Sequence, residues 1–363
     1  MCEKSLDSNT RSYRRILISR LRFIGDVILT TPIIRSVRNA HPGAFIAYLG
    51  ERGAVSLLEH NPLLNESIPF DFSRPTALEQ SRIALHLRRG KFDLAIDLFG
   101  NPRSALLTYL SGARVRVGPA RKGRGRLYTI QVADDGIPKT AIEFHNQFIR
   151  AAGVEPSAHR TEIFLTDDEK REARIYLQWF NREHNPIDIA RPIVGIHPGA
   201  TWPAKKWIPE RFAGLADLIA AKLGAHVLIT AGPNDGESVN AVVNHALSKV
   251  TVLSGLPLRQ LAAIISHCSV FVSNDAAPMH IAAAVGTPTV GLFGPGEENI
   301  WFPYSRDEGH CALRKDVSCH PCHLDFCNRQ GDAYMDCMKL LSIEDVFNAV
   351  EHAFRVHRGE ANH

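Results

Sequence analysis

The sequence predicts an α/β protein of two domains, each built on a parallel β-sheet. Short apolar runs typical of buried strands alternate along the chain with amphipathic stretches typical of helices. Strands that alternate with helices form parallel sheets joined by right-handed crossovers. The length of 363 residues fits two domains of ordinary size. A polar, turn-rich stretch at residues 153–161 marks the predicted boundary between them.

The predicted elements follow this alternation in both halves. In the first half the strands are residues 15–19, 45–49, 67–70 and 92–98, and the helices are 27–40, 54–60, 77–89, 104–111 and 141–152. In the second half the strands are residues 192–197, 226–230, 270–272 and 289–293, and the helices are 167–182, 211–223, 239–247, 258–266, 279–285 and 342–355. Residues 1–13 are expected to form a disordered tail. Ser342 and Asp345 match a capping box in which Asp replaces Glu.

Composition and charge narrow the class of protein. With 45% hydrophobic and 22% charged residues, the chain is typical of soluble globular proteins. No apolar run is long enough to span a membrane, and the first residues lack the apolar core of a signal peptide, so we expect a cytoplasmic protein. Residues 1–150 carry a net charge of +10 and the remainder −6. This asymmetry suggests an anionic partner for the first half, although solvated surface charge accounts for it equally well.

The densest positive charge lies in residues 114–126, RVRVGPARKGRGR, which contain six basic residues, three glycines and no acid. We expect a mobile loop here. No aromatic residue interleaves the charges, which argues against a stacking surface for single-stranded nucleic acid. A phosphate-rich or membrane-surface partner for Arg121, Lys122 and Arg124 fits better. A loop whose charges are simply solvated remains the alternative.

The stretch SNDAAPMHIAAAVGTPTVGLFGPG, residues 273–296, predicts a ligand site at a strand end. It follows a buried strand, and Asn274 and Asp275 occupy the expected cap position of a helix whose first turn accommodates Pro278. The free amides at such a helix start can bind a phosphate. In open α/β sheets, ligands lie outside the carboxyl ends of strands. An ordinary strand–helix–strand unit is the alternative reading.

Two other predicted strand ends in the second half carry polar loops. The segment HPGATWPAKKW, residues 197–207, combines a glycine turn with Lys205 and Lys206, which suggests a second phosphate-binding element. The carboxylates of residues 231–237 can accept hydrogen bonds from ribose hydroxyls, or this loop is a plain turn. The first half contains no G-x-G-x-x-G pattern, so no standard dinucleotide site is expected there.

Asp26 lies at the first strand-to-helix junction, a position that faces the ligand cleft in this fold class. Its alternative role is that of a helix cap.

Five of the seven cysteines lie within residues 311–337. The spacing Cys319-x2-Cys322-x4-Cys327-x9-Cys337 suggests a tetrahedral Zn or Fe site, with Cys311, His320 and His323 as possible substitute ligands. Free thiols on an irregular segment are the alternative.

Taken together, four motifs resemble glycosyltransferase family 9, the lipopolysaccharide heptosyltransferases. They are RILISRLRFIGDVILTTP, HPGATWPAKKW, SNDAAPMHIAAAVGTPTVGLFGP and the Cys-x2-Cys segment. The resemblance extends from about residue 14 to the last helix, and its motifs are specific in combination but weak singly. It implies a GT-B architecture, with two Rossmann-like domains that face a cleft. Residues 14–160 would bind the acceptor and 161–341 the nucleotide-sugar, including the cysteine-rich part 311–337, before a terminal helix and tail at 342–363.

The resemblance also implies an activity. The family transfers heptose from ADP-heptose to the inner core of lipopolysaccharide, with inversion, at the cytoplasmic face of the inner membrane. No catalytic cofactor is required if Lys205 and a helix N-terminus stabilise the departing ADP. A structural Zn or Fe at the cysteines stays open.

Individual roles follow by position in the matching motifs. Asp26 matches the general base, Lys205 the lysine that meets the donor phosphate, and Asp275 the residue that contacts heptose hydroxyls. The donor-binding set is Thr201, Lys205, Gly232, Asp235, Asp275, Ala276, Ala277 and His280, and the acceptor-binding set is Arg20, Arg22, Arg121, Lys122 and Arg124. This chain departs from better-known members in its Ala276-Ala277-Pro278 turn, where Thr-Gly is common, and in the cysteines, which only some members carry.

Two other functions stay open at this point. One is a different GT-B enzyme, a transferase or an epimerase, that acts on another nucleotide-sugar. The other is a metal-containing nucleic-acid-binding protein that uses the basic segment and the cysteines. The paired phosphate-type turns at strand ends argue against the second.

Overall fold

The structure is a computed structural model that describes residues 12–71, 76–179, 187 and 189–359. Its chain divides into two compact units after Arg160. No helix within the described ranges is both long enough and apolar enough to cross a bilayer.

The first unit contains a parallel sheet with helices on both faces. Its strands are β1 (Arg15–Arg20), β2 (Phe45–Glu51), β3 (Glu66–Phe70), β4 (Leu94–Asp97), β5 (Val115–Pro119) and β6 (Ile130–Val132). Its helices are α1 (Ile24–Ile28), α2 (Thr31–Ala40), α3 (Arg52–Ser56), α4 (Ala77–Arg89), α5 (Pro102–Leu110) and α6 (Ala141–Ala151), with a 3₁₀ turn at Arg124–Leu127.

The second unit repeats this plan. Its strands are β7 (Ile193–His197), β8 (His226–Ala231), β9 (Val250–Ser254), β10 (Val270–Asn274), β11 (Thr289–Leu292) and β12 (Cys311–Leu313). Its helices are α7 (Asp167–Trp179), α8 (Pro209–Leu223), α9 (Gly236–His245), α10 (Leu258–Ile265), α11 (Ala277–Ala284), α12 (Glu298–Trp301), α13 (Asp336–Lys339) and α14 (Ile343–His357). Short 3₁₀ turns lie at Pro203–Lys205, Arg306–Glu308 and Gly331–Ala333.

Within the described ranges, both sheets have the strand order of a Rossmann fold. The first runs β3-β2-β1-β4-β5-β6 and the second β9-β8-β7-β10-β11-β12, with every pair parallel. The predicted α/β class with two parallel sheets is therefore confirmed. This order reverses between β1 and β4 and between β7 and β10, and ligands of open α/β sheets bind at such reversal points.

Side chains of the central strands alternate between two cores, as the strand period of two requires. Ile16 and Ile18 of β1 pack with α2 and α6 on one face, whereas Leu17 packs with α4 and α5 on the other. In the second unit, Val194 and Ile196 of β7 face α8 and α14, and Ile193 faces α7 and α10. Since both faces are covered, residues 16–18 of β1 and 193–196 of β7 are all apolar.

The predicted helix at residues 27–40 is wrong as a single element, because the structure forms α1 and α2 with a break between them. The Thr30 hydroxyl donates to the carbonyl oxygen of Val27 at 2.7 Å, and the Thr31 hydroxyl donates to that of Ile28 at 2.8 Å. Pro32 in the first turn of α2 has no amide hydrogen to continue the α1 ladder.

Two predicted irregular segments are partly ordered. Residues 1–11 of the predicted tail lie outside the described residues, but Tyr13 is buried and its hydroxyl donates to the Ala152 carbonyl at 3.1 Å. The predicted loop at 114–126 contains β5 and most of a 3₁₀ turn, because Val115 and Val117 pair with β4. Strands β5, β6, β9 and β12 were absent from the sequence prediction, whereas the capping box of Ser342 and Asp345 is confirmed.

A glycine in β7 sets the packing of the second sheet. A Cβ on Gly195 would lie 2.4 Å from Cδ2 of Phe271 in the neighbouring strand and 3.2 Å from Sγ of Cys268. All of these groups are buried, so neither neighbour has free space to move into.

We predict that Gly195→Ala lowers the free energy of unfolding by about 1–3 kcal/mol, the usual cost of overpacking a core. Chemical denaturation measures this. The control is Gly236→Ala, where an added Cβ meets no atom within 4 Å, and which should keep the wild-type stability. Equal stability of Gly195→Ala and wild type would contradict the packing argument.

Candidate active site

Asn274 organises the reversal point of the second sheet. It is fully buried at the end of β10. Its amide nitrogen donates to the carbonyl oxygens of Pro198 and Gly199 at 2.9 and 3.4 Å, and its oxygen accepts from the Trp207 backbone nitrogen at 3.1 Å. One side chain therefore fixes both ends of the loop that follows β7. Asn274 and Asp275 were predicted to occupy the cap position of a helix, and that prediction is wrong because α11 begins at Ala277, with Ala276 as its N-cap.

Lys205 and Asp275 form an ion pair beside this clamp. Lys205 Nζ lies 2.5 Å from Asp275 Oδ2, and the two side chains are 19% and 7% exposed. Lys205 Nζ also lies 4.6 Å from the centre of the Trp202 ring, a cation–π contact. A lysine ammonium has three donors, so Lys205 can hold Asp275 and still donate to an anion. A Cβ on Gly296 would come within 3.0 Å of Asp275 Oδ2, so a glycine here lets the loop after β11 approach Asp275 closely.

Helix α11 begins directly after this ion pair. Its N-cap, Ala276, has no side chain that can accept a hydrogen bond, and Pro278 lies in its first turn. The first amides of a helix without a capping side chain are suited to bind an anion. The Ala276 and Ala277 amides directly follow Asp275, the acidic member of this pair.

The loop after β8 contains Asp235, one of the carboxylates that the sequence suggests as a ribose contact. The Asp235 carboxylate is buried, and its Oδ2 accepts from the Gly232 backbone nitrogen at 2.8 Å and lies 3.5 Å from His197 Nε2. A Cβ on Gly199 would lie 2.2 Å from this carboxylate. Burial lowers the pKa of His197, and Asp235 offsets part of that effect. Asp235 is thus held from several sides, and only its Oδ1 retains capacity for a ligand.

Two other predicted donor residues differ in setting. Thr201 is exposed in the loop after β7. His280 is buried in α11, and its Nδ1 lies 2.6 Å from the hydroxyl oxygen of Tyr304. Burial raises the pKa of Tyr304, so its hydroxyl stays protonated and forms a hydrogen bond with this nitrogen. His280 therefore orders the base of α11 through Tyr304.

In the first unit, Asp26 follows β1 on the short helix α1. It is the third helical residue, not the N-cap, and its Oδ2 accepts from the Phe23 backbone nitrogen at 3.1 Å. Its Oδ1 pairs with the Arg20 guanidinium, and the two side chains are 14% and 13% exposed. Arg20 also donates to the Leu98 carbonyl at 3.3 Å and lies over the Phe99 ring. Arg20 thereby connects Asp26 to the loop that follows β4, across the reversal point of the first sheet.

Asp97 and Tyr128 hold that same loop and were missed from the sequence. Asp97 is fully buried at the end of β4 and accepts from the Tyr128 hydroxyl at 2.6 Å and from the backbone nitrogens of Phe99 and Gly100 at 2.9 and 3.0 Å. Burial, reinforced by the Asp97 charge, raises the pKa of Tyr128. The signal in the sequence was a lone Asp at a strand end. Its structural role depends on Tyr128, which lies 31 residues further along the chain.

The other predicted acceptor residues are basic side chains at or near the surface. Arg121 and Lys122 are exposed, whereas Arg124 is partly buried and donates to the Gly100 carbonyl at 2.8 Å. Arg22 lies over the Phe23 ring and 3.9 Å from Glu51. Arg124 therefore fixes the basic segment to the loop after β4 and leaves Arg121 and Lys122 free to meet an anion.

The four cysteines of the predicted metal site lie near one another. Burial raises the pKa of Cys337 to about 11, with a further contribution from Cys319, Cys322 and Cys327 around it. Cys327 Sγ accepts from the Met335 backbone nitrogen at 3.3 Å. Throughout the described part of the chain, no group of three or more His, Cys, Asp or Glu side chains is arranged to hold a metal ion. The thiols are thus gathered without forming a ready coordination site.

Comparison with known proteins identifies the family. The model for glycosyltransferase family 9 (heptosyltransferase) matches residues 81–330, more than half of the chain. The chain belongs to glycosyltransferase family 9. It is accordingly a glycosyltransferase, and the family resemblance of its sequence motifs is confirmed.

Individual relatives agree with this assignment. The chain is 28% identical to lipopolysaccharide heptosyltransferase 3 of Escherichia coli over 79% of this chain and 85% of that protein. Its structure is similar to a glycosyl transferase family 9 protein from Veillonella parvula, with a TM-score of 0.81 and 26% identity over 95% and 98% of the two chains. It is also similar in fold to E. coli ADP-heptose LPS heptosyltransferase II, with a TM-score of 0.74 and 22% identity over 94% and 98% of the chains.

Proposed function

We propose that this family 9 enzyme transfers heptose from ADP-heptose to the inner core of lipopolysaccharide, with inversion at the anomeric carbon. The observation that carries the proposal is the partly buried Lys205–Asp275 pair at the β7–β10 reversal point, next to the uncapped start of α11. A cation and free amides suit a diphosphate, and a carboxylate suits sugar hydroxyls. The names of the similar heptosyltransferases supply the identity of the sugar and of the acceptor class.

On the donor side, Lys205 and the amides of Ala276 and Ala277 would bind the diphosphate of ADP-heptose. They would also stabilise the negative charge that develops as ADP departs, because fixed donors in a partly buried site need no reorganisation. Asp275 would accept from heptose hydroxyls. Asp235, held by the Gly232 backbone nitrogen, would offer Oδ1 to the ribose.

On the acceptor side, Asp26 would act as the general base. In a single displacement, the acceptor hydroxyl loses its proton as its oxygen attacks the anomeric carbon and the bond to ADP breaks. Asp26 Oδ1 and Oδ2 are each engaged once, by Arg20 and by the Phe23 nitrogen, and a carboxylate oxygen has two acceptor sites. Asp26 therefore retains capacity for the hydroxyl proton while Arg20 fixes its orientation.

The basic segment would contact the phosphates of the acceptor or the anionic membrane surface that carries it. Arg121 and Lys122 are exposed next to the Arg124 anchor. Helix α5, which begins after the same loop, exposes Leu106, Tyr109 and Leu110 to 45%, 49% and 39%. These positions lie on one helical face. A cationic segment beside an apolar helix face suits peripheral contact with the cytoplasmic surface of the inner membrane.

Mass spectrometry of products tests the function directly. Incubation with ADP-heptose and truncated lipopolysaccharide should add one heptose to the acceptor and release ADP. Activity with a different nucleotide-sugar, or epimerisation of such a sugar, would favour the other GT-B enzymes. Salt-sensitive nucleic-acid binding without ADP release would favour the nucleic-acid-binding alternative.

Asp26→Asn should lower the rate of transfer roughly 10²–10⁴-fold, because it removes the base and preserves the shape of the side chain. ADP affinity and melting temperature should change little. The matched control is Asp93→Asn, a carboxylate that also accepts backbone hydrogen bonds, from Arg14 and Arg15 at 2.8 and 3.1 Å, but at the amino end of β1. Near-normal turnover of Asp26→Asn would leave Asp26 as a structural residue of α1.

Lys205→Ala should weaken ADP binding by roughly 1.5–3 kcal/mol, the range for a hydrogen bond to a charged group. The substitution also leaves the negative charge of Asp275 unpaired, and this carboxylate would then repel the diphosphate. Calorimetric titration with ADP measures the change, and Lys206→Ala is the control for register. The assignment fails if Lys205→Ala binds ADP as tightly as the wild type does.

Replacing Arg121, Lys122 and Arg124 together by Gln should raise the apparent KM for acceptor, more strongly at low salt, because screening weakens exposed charges. Donor KM should stay constant. Neutralising Arg355 of α14 and Arg358, its C-cap residue, is the control. A change in donor KM instead would assign the segment to the donor site.

We propose that Cys319, Cys322, Cys327 and Cys337 bind one structural Zn or Fe after their thiols reorient around Cys337. Purified protein should then contain about one metal per chain by elemental analysis. Cys322→Ser should lose the metal and melt at a lower temperature. Cys268→Ser, which changes a buried cysteine remote from this sequence motif, is the control for metal content. Metal-free protein of unchanged stability would remove the proposal.

A further inference from the structure

The segment that carries the four cysteines lies against both loops of the proposed donor site. We call residues 317–337 the cysteine segment. It follows β12 and ends within the first turn of α13. Apart from the 3₁₀ turn at Gly331–Ala333, its backbone before Asp336 is irregular. An irregular segment of this length in a compact unit needs contacts that order it. Those contacts go to the ends of other strands.

The first contacts are with the loop after β11. The backbone nitrogens of Cys322 and His323 donate to the Pro295 carbonyl at 3.2 and 3.1 Å. His320 Nε2 donates to the Gly296 carbonyl at 2.9 Å, so this nitrogen carries the proton. The His320 side chain is 12% exposed, and its bond to Gly296 is largely shielded from competing water.

The second contact is with the loop after β7. The Ala204 backbone nitrogen, next to Lys205, donates to the Asp325 carbonyl at 3.0 Å. The two loops also meet at Gly294, where a Cβ would lie 2.7 Å from Sδ of Met338 and 3.1 Å from the Ala204 carbonyl. The cysteine segment, the Lys205 loop and the Gly296 loop are therefore packed against one another.

The position of Gly296 bears directly on the ion pair. A Cβ on Gly296 would approach Asp275 Oδ2 to 3.0 Å and Lys205 Nζ to 4.0 Å. Since Gly296 lines the space beside Asp275, a shift of this loop towards the pair would narrow that space, and a shift away would widen it. The hydrogen bond from His320 to Gly296 opposes both movements.

We infer that His320 is a positioning residue for donor binding, and that the cysteine segment sets the geometry of Lys205 and Asp275 through the Gly296 and Ala204 loops. This inference rests on the proposed use of Lys205 and Asp275 for a nucleoside diphosphate. It assigns the segment a role that holds whether or not its thiols carry a metal, because the contacts come from backbone groups and from His320.

The test compares His320→Ala with His320→Gln in the full-length protein. Gln can place an amide nitrogen near the position of Nε2 and restore the bond to Gly296. In His320→Ala, amide hydrogen exchange of peptides covering residues 199–207 and 293–298 should accelerate roughly threefold or more, and the ADP Kd should rise roughly three- to tenfold. His320→Gln should recover most of both effects. Peptides from β8 should exchange as in the wild type, which separates a local effect from global unfolding.

His323→Ala is the matched control. Its side chain is 53% exposed and lies 3.3 Å from Glu297, while its bond to Pro295 comes from the backbone and persists. Unchanged exchange in His320→Ala overturns the inference. Faster exchange with an unchanged ADP Kd overturns the positioning role. If the wild type itself failed to bind ADP, the proposed function would fall, and the exchange measurement would still decide whether the segment orders these loops.

Discussion

The candidate donor site depends on one buried amide. Asn274 ends β10 with three hydrogen bonds to the backbone around Pro198, Gly199 and Trp207. A buried amide is tolerated only when its donors and acceptor are satisfied, so the loop after β7 has little freedom to move without breaking these bonds. Lys205 lies within that loop, and Asp275 directly follows Asn274. Backbone geometry therefore fixes where the Lys205 and Asp275 side chains begin. The contacts of the Lys205 ammonium with Asp275 and Trp202 then hold the end of its flexible side chain.

The two units solve the same structural problem with different residues. In the second, an amide fixes the loop and a lysine provides the positive charge. In the first, Asp97 fixes the loop after β4, and Arg20 connects that loop to Asp26. Each reversal point thus pairs a fully buried polar anchor with a partly exposed charged pair. This division leaves each charged pair partly accessible to solvent, while its supports remain out of water.

Local sequence patterns predicted the architecture but only part of the site. Strand–helix alternation gave the two parallel sheets, since both faces of the central strands are apolar, and strand-end motifs identified Lys205, Asp275 and Asp26 as candidates. Contacts between distant segments were not predictable from local pattern. Tyr128 bonds to Asp97, Tyr304 to His280, and Asp325 to Ala204. Each of these hydrogen bonds engages its partner in a structural contact that the local sequence does not reveal. The break between α1 and α2 was missed because threonine hydroxyls compete for helix carbonyls without altering the apolar period.

The bond between Ala204 and Asp325 has a consequence for the order of assembly during synthesis. The loop that carries Lys205 leaves the ribosome long before the segment that braces it, and the Gly296 loop follows in between. A chain that ends soon after β12 would thus have its sheet strands in place while these loops lack a support. Closing contacts between such distant segments is slow relative to local pairing. The proposed donor loops can therefore reach their final shape only after the cysteine segment, which supplies the bracing contacts, has been synthesised.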